Sequence, residues 1–203
     1  MFRKTISVIA LIAAVAPAVP AIADVNPGAY LAARHAGLQN DFASGARYFT
    51  QTLMTDPSNA YLLENAMTSF VAVGQFSRAL PVAQVIVDAG HESQIANLVL
   101  SANAAKSGNW TAIFSALEQG RRISPLVDGL SQGWAHLGAG EIARAMASFD
   151  QVTEAEGMGV YGMTHKAYAL ATVGDFESAA TIFESPAPAS MRYSRQSAIA
   201  HAQ

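Results

Sequence analysis

A turn followed by a helix recurs along this chain at an almost fixed interval, and that period constrains the fold more than any other feature. A Gly or the Gly-like Asn marks the turn of each copy, at intervals of 34, 34, 32 and 34 residues: Asn40, Gly74, Gly108, Gly140 and Gly174. A large apolar residue stands two positions after each of them: Phe42, Phe76, Trp110, Ile142 and Phe176. A fixed period of about 20–50 residues is typical of stacked-repeat architectures. We therefore predict a solenoid.

The copies share further positions, which resemble the second helix of the tetratricopeptide repeat. A second apolar residue or Ala follows the first at Phe49, Ala83, Leu117, Phe149 and Phe183. The segment 40–59 matches best, with a turn residue, an aromatic, a small residue, an aromatic and a closing Asp56-Pro57. The resemblance covers residues 26 to about 186. The first helices depart from the family, whose Trp, Leu, Gly and Tyr are replaced in the first copy by Ala29, Ala32, Ala33 and Ala36.

The resemblance implies an all-α fold, a right-handed superhelical solenoid of about five helix-turn-helix repeats plus a C-terminal helix. The repeats are predicted at about residues 26–59, 60–93, 94–125, 126–159 and 160–188. Residues 189–203 are predicted to be a capping helix or the first helix of an incomplete sixth repeat. Its apolar stripe is expected to pack on copy five and to leave an edge for self-association: Met191, Ala198, Ile199 and Ala202.

Local signals predict where several helices begin and end. Asn26 and Asp41 are expected to cap the first two helices, and Ser124 to cap a helix with Pro125 in its first turn. Pro81 predicts a bend in its helix or a helix that starts later. The second helix of copy three is predicted over 109–122, and the two residues missing from this period are expected to be lost from the connection before Pro125.

The N-terminal 23 residues are typical of a secretory signal peptide. Arg3 and Lys4 precede a short apolar run, and Pro17 and Pro20 interrupt it ahead of a small-residue cleavage site at Ala23. Cleavage would leave residues 24–203, with no stable membrane insertion; an uncleaved anchor is the alternative. Without Arg3 and Lys4 the chain has 10 basic against 15 acidic residues. No basic stripe for nucleic acid is present in the sequence.

The chain contains no Cys, which excludes a lipid-anchored start, a disulfide framework and thiol catalysis. An exported, Ala-rich chain without Cys fits a bacterial periplasm better than an extracellular animal module. We therefore predict periplasmic localisation.

Two segments match catalytic or cofactor motifs outside the context that those motifs need. Residues 129–133 have the Gly-x-Ser-x-Gly spacing of a hydrolase elbow, but the repeat phase places Ser131 inside a helix and Gly133 at a close-packing position. Residues 138–143 resemble a dinucleotide fingerprint but are predicted to form a repeat turn. The five His residues have no metal-ligand spacing. We predict no catalytic residue, no metal and no cofactor.

Stacked repeats present a concave face built from the first helices, which binds extended peptides or partner elements. The resemblance implies that this face carries an aromatic and apolar set: Tyr30, Arg34, Tyr61, Glu64, Thr68, Leu98, Ala102, Lys106, Leu130, Trp134, Tyr161, Thr164 and Tyr168. The alternative is that the aromatic members fill the core between repeats. The leading hypothesis is a non-enzymatic scaffold for a protein or peptide; a small-molecule binder and a hydrolase using Ser131 are the alternatives.

Overall fold

The computed structural model describes residues 27–186, and over this range the chain is all-helical, with ten α-helices and no strand. The helices are α1 Pro27–Leu38, α2 Phe42–Leu53, α3 Ala60–Ala72, α4 Phe76–Asp88, α5 Gln94–Lys106, α6 Trp110–Glu118, α7 Pro125–Gly138, α8 Ile142–Glu154, α9 Gly159–Thr172 and α10 Phe176–Glu184. Each helix packs against the next, as a helical repeat requires. The predicted signal peptide, the Asn26 cap and the helix at 189–203 lie outside the described residues.

The five predicted turns have one shared geometry. Each turn residue has a positive φ: 54° at Asn40, 73° at Gly74, 68° at Gly108, 80° at Gly140 and 87° at Gly174. In every copy the following N–H donates to the carbonyl five residues earlier, at 2.8–3.0 Å. This is the Schellman ending of a helix, which needs a left-handed residue and therefore favours Gly, or less often Asn. The predicted turns are confirmed.

Polar side chains cap the second helices α2, α6 and α10 and the first helix α7. Asp41, Asn109 and Asp175 each accept the backbone N–H three residues on, at 3.0, 3.3 and 3.1 Å. Ser124 accepts the N–H of Val127 at 3.3 Å with Pro125 in the first turn. These side chains satisfy N–H groups that have no partner within the helix, and the caps predicted at Asp41 and Ser124 are confirmed.

The structure corrects two expectations about second helices. Helix α6 ends at Glu118 instead of residue 122, and it has 9 residues where α4 has 13. The connection after α6 is not shortened, so the residues missing from the period are lost from the helix. Gly120, with φ of 75°, ends α6 early through a Schellman bond from Arg121 N–H to the Ala116 carbonyl at 3.0 Å. Pro81 lies inside α4, which begins at Phe76, so the later start expected there is wrong.

The buried apolar side chains form four clusters instead of one continuous core. The largest extends from Ala33 to Val99 and includes Phe49 and Met67. The cluster around α6 contains three buried residues, Ala104, Ile113 and Ala135. The other two clusters lie among α7–α10. Burial is sparse at α6 itself, which buries only Ile113, whereas α5 and α7 each bury three residues.

Glycines allow α7 to approach its neighbours closely. A Cβ atom at Gly133 would lie 2.5 Å from Phe149 Cε1, and one at Gly129 would lie 2.5 Å from Val152 Cγ2. Both partners belong to α8, so the Gly-x-Ser-x-Gly spacing places two glycines one turn apart on the face that packs against α8. Ser131 lies within α7, as predicted. Gly138 ends the same helix, and Gly140 forms the turn predicted for this fingerprint-like segment.

Candidate partner-binding surface

Ten of the thirteen predicted binding residues occupy equivalent positions on the first helices α1, α3, α5, α7 and α9. One row lies ten residues before each turn residue: Tyr30, Glu64, Leu98, Leu130 and Thr164. A second row lies six residues before it: Arg34, Thr68, Ala102, Trp134 and Tyr168. Residues four apart share one face of a helix. The two rows therefore form a single stripe on each first helix.

Most of this set is accessible to a partner. Tyr30, Tyr61, Leu98 and Tyr161 have exposed fractions of 36%, 48%, 46% and 43%. The polar or small members Arg34, Ala102 and Lys106 are also exposed, whereas Glu64, Thr68, Leu130 and Trp134 are half-buried. Four large apolar side chains of this set are therefore exposed on the first helices; an interaction surface requires that such side chains form a contiguous patch.

The structure does not present Thr164 and Tyr168 at the surface. Thr164 is fully buried and its hydroxyl donates to the Val160 carbonyl at 2.7 Å. Tyr168 is 9% exposed, and its ring centroid lies 5.7 Å from that of Phe183 on α10. Assigning these two residues to the binding face is therefore wrong. For them the alternative, a role in the core, is the one observed.

An apolar cleft between α5 and α7 brings four of the predicted residues together. It has a volume of about 240 Å³. Leu98 and Ala102 of α5 face Leu130 and Trp134 of α7 across it, and further lining comes from α6 and from other residues of the two first helices. Ala102 and Ala105, two small residues of α5, line the cleft together with the indole of Trp134. The sequence predicted these residues but not the cleft.

Contacts with α8 and α9 hold the Trp134 ring in place. Its Nε1–H donates to His165 Nδ1 at 2.9 Å, and its ring meets Phe149 edge to face with centroids 5.6 Å apart. Burial lowers the pKa of His165 below its ordinary value of 6.5, which favours the neutral ring. Since Nδ1 accepts this hydrogen bond, the proton of the neutral ring is on Nε2. Trp134 thus contributes both to packing between repeats and to the wall of the cleft.

A second group of side chains lies at the turn between α7 and α8 and was not predicted. Glu141 Oε2 lies 2.6 Å from His136 Nδ1, and its Oε1 accepts from Arg144 at 3.2 Å. The hydrogen bond from His136 is the main reason that the pKa of Glu141 is lowered. The His136 ring lies 4.6 Å from that of Phe114, beside an open cleft of about 560 Å³ that Trp110 also lines.

Two features are absent from the described part of the chain. Among residues 27–186 no group of three or more His, Asp or Glu side chains is arranged to hold a metal ion. In the same range no helix combines the length and the apolar character needed to cross a membrane.

Comparison of the chain with protein-family models and with curated proteins gives no match.

Proposed function

We propose that this protein is a tetratricopeptide-like scaffold that is exported to a bacterial periplasm and binds a protein or peptide through the face formed by its first helices. The helical pairs are proposed to stack into a right-handed superhelix with this face on its concave side. The proposal assigns no catalytic residue, cofactor or nucleic acid to the chain.

The apolar cleft between α5 and α7 is the observation that carries this proposal. Exposed tyrosines lie on the same set of helices, Tyr30 and Tyr61 on α1 and α3 before the cleft and Tyr161 on α9 after it. An aromatic and apolar surface around a pocket favours one buried anchor residue with weaker contacts around it. The ligand that fits is an extended peptide with an aliphatic or aromatic side chain that enters the cleft at Leu98 and Trp134.

A displayed library of random peptides, selected on the folded protein, tests this proposal. The selected peptides should share one large apolar residue. Fluorescence anisotropy should then show a loss of affinity of about fivefold or more for Leu98→Ala and Tyr61→Ala, because truncation at a binding centre commonly costs more than about 1 kcal/mol. Both side chains are about half exposed, so their truncation should leave the fold intact.

Val85→Ala and Ile142→Val are matched controls, because these residues are equally exposed, at 46% and 47%, but belong to second helices. They should bind the selected peptides like the wild type. Affinity that is unchanged in Leu98→Ala, or reduced equally in Val85→Ala, would contradict the proposed face.

The small-molecule alternative is favoured by one observation, the open cleft of about 560 Å³ beside Trp110, Phe114 and His136. That volume lies in the usual range for small ligands, about 300–1,000 Å³. A metabolite that raises the melting temperature of the wild type but not of Phe114→Ala, with no selectable peptide, would favour this function over the scaffold.

A further inference from the structure

Two consecutive arginines, Arg121 and Arg122, lie where α6 ends one turn early. The missing turn leaves a cleft of about 470 Å³ between the connection that follows α6 and the one that follows α4. His91, Gln94 and Asn97 line this cleft together with the arginines, as does one carboxylate, Glu92. The cleft is therefore lined largely by hydrogen-bond donors.

Arg121 lies between this cleft and a smaller one of about 270 Å³. The smaller cleft is lined mainly by amide and hydroxyl side chains: Gln84, Asn97, Ser101, Asn103, Ser107 and Asn109. Arg121 and Asn97 belong to both clefts. A guanidinium group is thus flanked by neutral hydrogen-bonding groups on one side and by Arg122 and His91 on the other.

The two arginines lack the partners that several other cations among the described residues have. Arg78 donates to Gln75, Arg144 pairs with Glu141, and Lys166 pairs with Asp150 at 2.6 Å. Among residues 27–186 neither Arg121 nor Arg122 forms an ion pair, although Glu92 lines the same cleft. The Nε atom of Arg121 is buried and has no hydrogen-bond partner in that range. A buried donor without a partner destabilises the fold, so an acceptor group that reached Arg121 Nε would be stabilising.

The backbone that carries the arginines is held at several points. The Arg121 N–H donates to the Ala116 carbonyl at 3.0 Å, and Asn97 Nδ2 donates to the Arg122 carbonyl at 2.9 Å. The N–H of Ile123 donates to Asp128 Oδ1 at 3.0 Å. These bonds fix the connection to α5, α6 and α7, so the cleft exists before a ligand arrives. Such preorganisation reduces the entropy lost on binding.

We propose that the cleft at the end of α6 binds a small organic anion, whose carboxylate or phosphate oxygens are held by Arg121 and Arg122. Guanidinium groups match these oxyanions in a bidentate geometry. The amides of Gln84, Asn97 and Asn103 would hydrogen-bond further polar groups of the same molecule. The whole chain has a net charge of −3, so the site is a local pair of cations and not part of a general basic surface. The cleft that contains both arginines shares no lining residue with the apolar cleft proposed for peptides.

Calorimetric titration of the full protein with inorganic phosphate, succinate and citrate at low ionic strength tests the proposal. At least one of these probes should bind saturably, and the tighter class identifies phosphate or carboxylate as the group recognised. Arg121→Gln should weaken that binding by about tenfold or more, which corresponds to about 1.4 kcal/mol. Arg78→Gln removes the same charge from a side chain outside the cleft and should bind like the wild type.

Two further variants separate binding from a structural role. Arg121→Lys keeps the charge but loses the bidentate geometry, so it should fold and still bind more weakly than the wild type. Arg121→Met should leave the melting temperature without anion unchanged or higher, because it removes the buried, unpaired Nε–H. The proposal would be overturned if none of the three anions bound saturably up to about 10 mM, a concentration that corresponds to a free energy of only about −2.7 kcal/mol. It would also be overturned if Arg121→Gln bound the anion as tightly as the wild type.

Discussion

Gly133→Ala tests whether α7 and α8 approach each other as closely as the structure indicates. The added methyl group would lie 2.5, 2.7 and 2.9 Å from three ring atoms of Phe149. Phe149 is fully buried and its ring is in edge-to-face contact with Trp134, so it cannot move aside without displacing a second side chain. The substitution therefore forces α7 away from α8 or the Phe149 ring out of its position.

Two opposing effects determine the size of the change. Overpacking of a core costs about 1–3 kcal/mol. Replacing Gly by Ala inside a helix contributes about 1 kcal/mol in the opposite direction. Because three contacts are shorter than any that real Cβ atoms show, we place the cost near the top of its range and expect a net loss of about 1–2 kcal/mol. A loss of that size lowers the melting temperature by about 2–8 °C for a chain of this length.

Gly37→Ala is the matched control, because Gly37 lies near the end of α1 and a Cβ there would be 3.9 Å from Phe49, an ordinary contact. It should gain up to about 1 kcal/mol from helix propensity. Circular dichroism at 222 nm during thermal and urea unfolding measures both variants. A Gly133→Ala protein as stable as Gly37→Ala would show that the packing argument is mistaken. Phe149→Leu in the Gly133→Ala background should cost less than the sum of the single changes.

Two further predictions concern a buried imidazole and a turn. The pKa of His165 is below its unfolded value of 6.5, so the unfolded chain binds more protons, and stability is lost as the pH falls below about 6.5 towards the folded pKa. The melting temperature should therefore differ less between pH 7.5 and pH 5.5 in His165→Gln, whose side chain does not titrate, than in the wild type. Gly74→Ala should destabilise by about 1–2 kcal/mol although nothing lies within 4 Å of the new methyl group, because φ of 73° is unfavourable for an L-residue; a melting temperature equal to that of the wild type would contradict this.

The helical class and the repeat turns could be predicted because local residues determine them. A Gly followed by a capping residue ends one helix and begins the next, whatever the rest of the chain does. Asn40 could be identified with the four glycines because Asn tolerates the left-handed conformation better than other side chains with a Cβ. The cap at Ser124 followed from the same local rules.

The length of α6 and the lining of the cleft could not be predicted in that way. Gly120 is compatible with a helix interior at a modest cost, so only the observed bond from the Arg121 N–H shows that the helix stops there. The bond from Trp134 to His165 joins residues 31 positions apart, and no short motif signals such a pair. Burial of Tyr168 likewise depends on α9 and α10 packing together, which the repeat phase alone does not specify.

The sparse burial around α6 has a consequence for cooperativity. In a linear stack each repeat is stabilised mainly by its neighbours, so the free energy of unfolding is a sum of repeat and interface contributions. Ile113 is the one residue of α6 that is fully inside the core, between a large cluster that spans α1–α5 and the clusters of α7–α10. The coupling that passes along the stack is therefore weakest at this helix. We expect the two halves of the molecule to open as separate cooperative units, with α6 as the boundary between them.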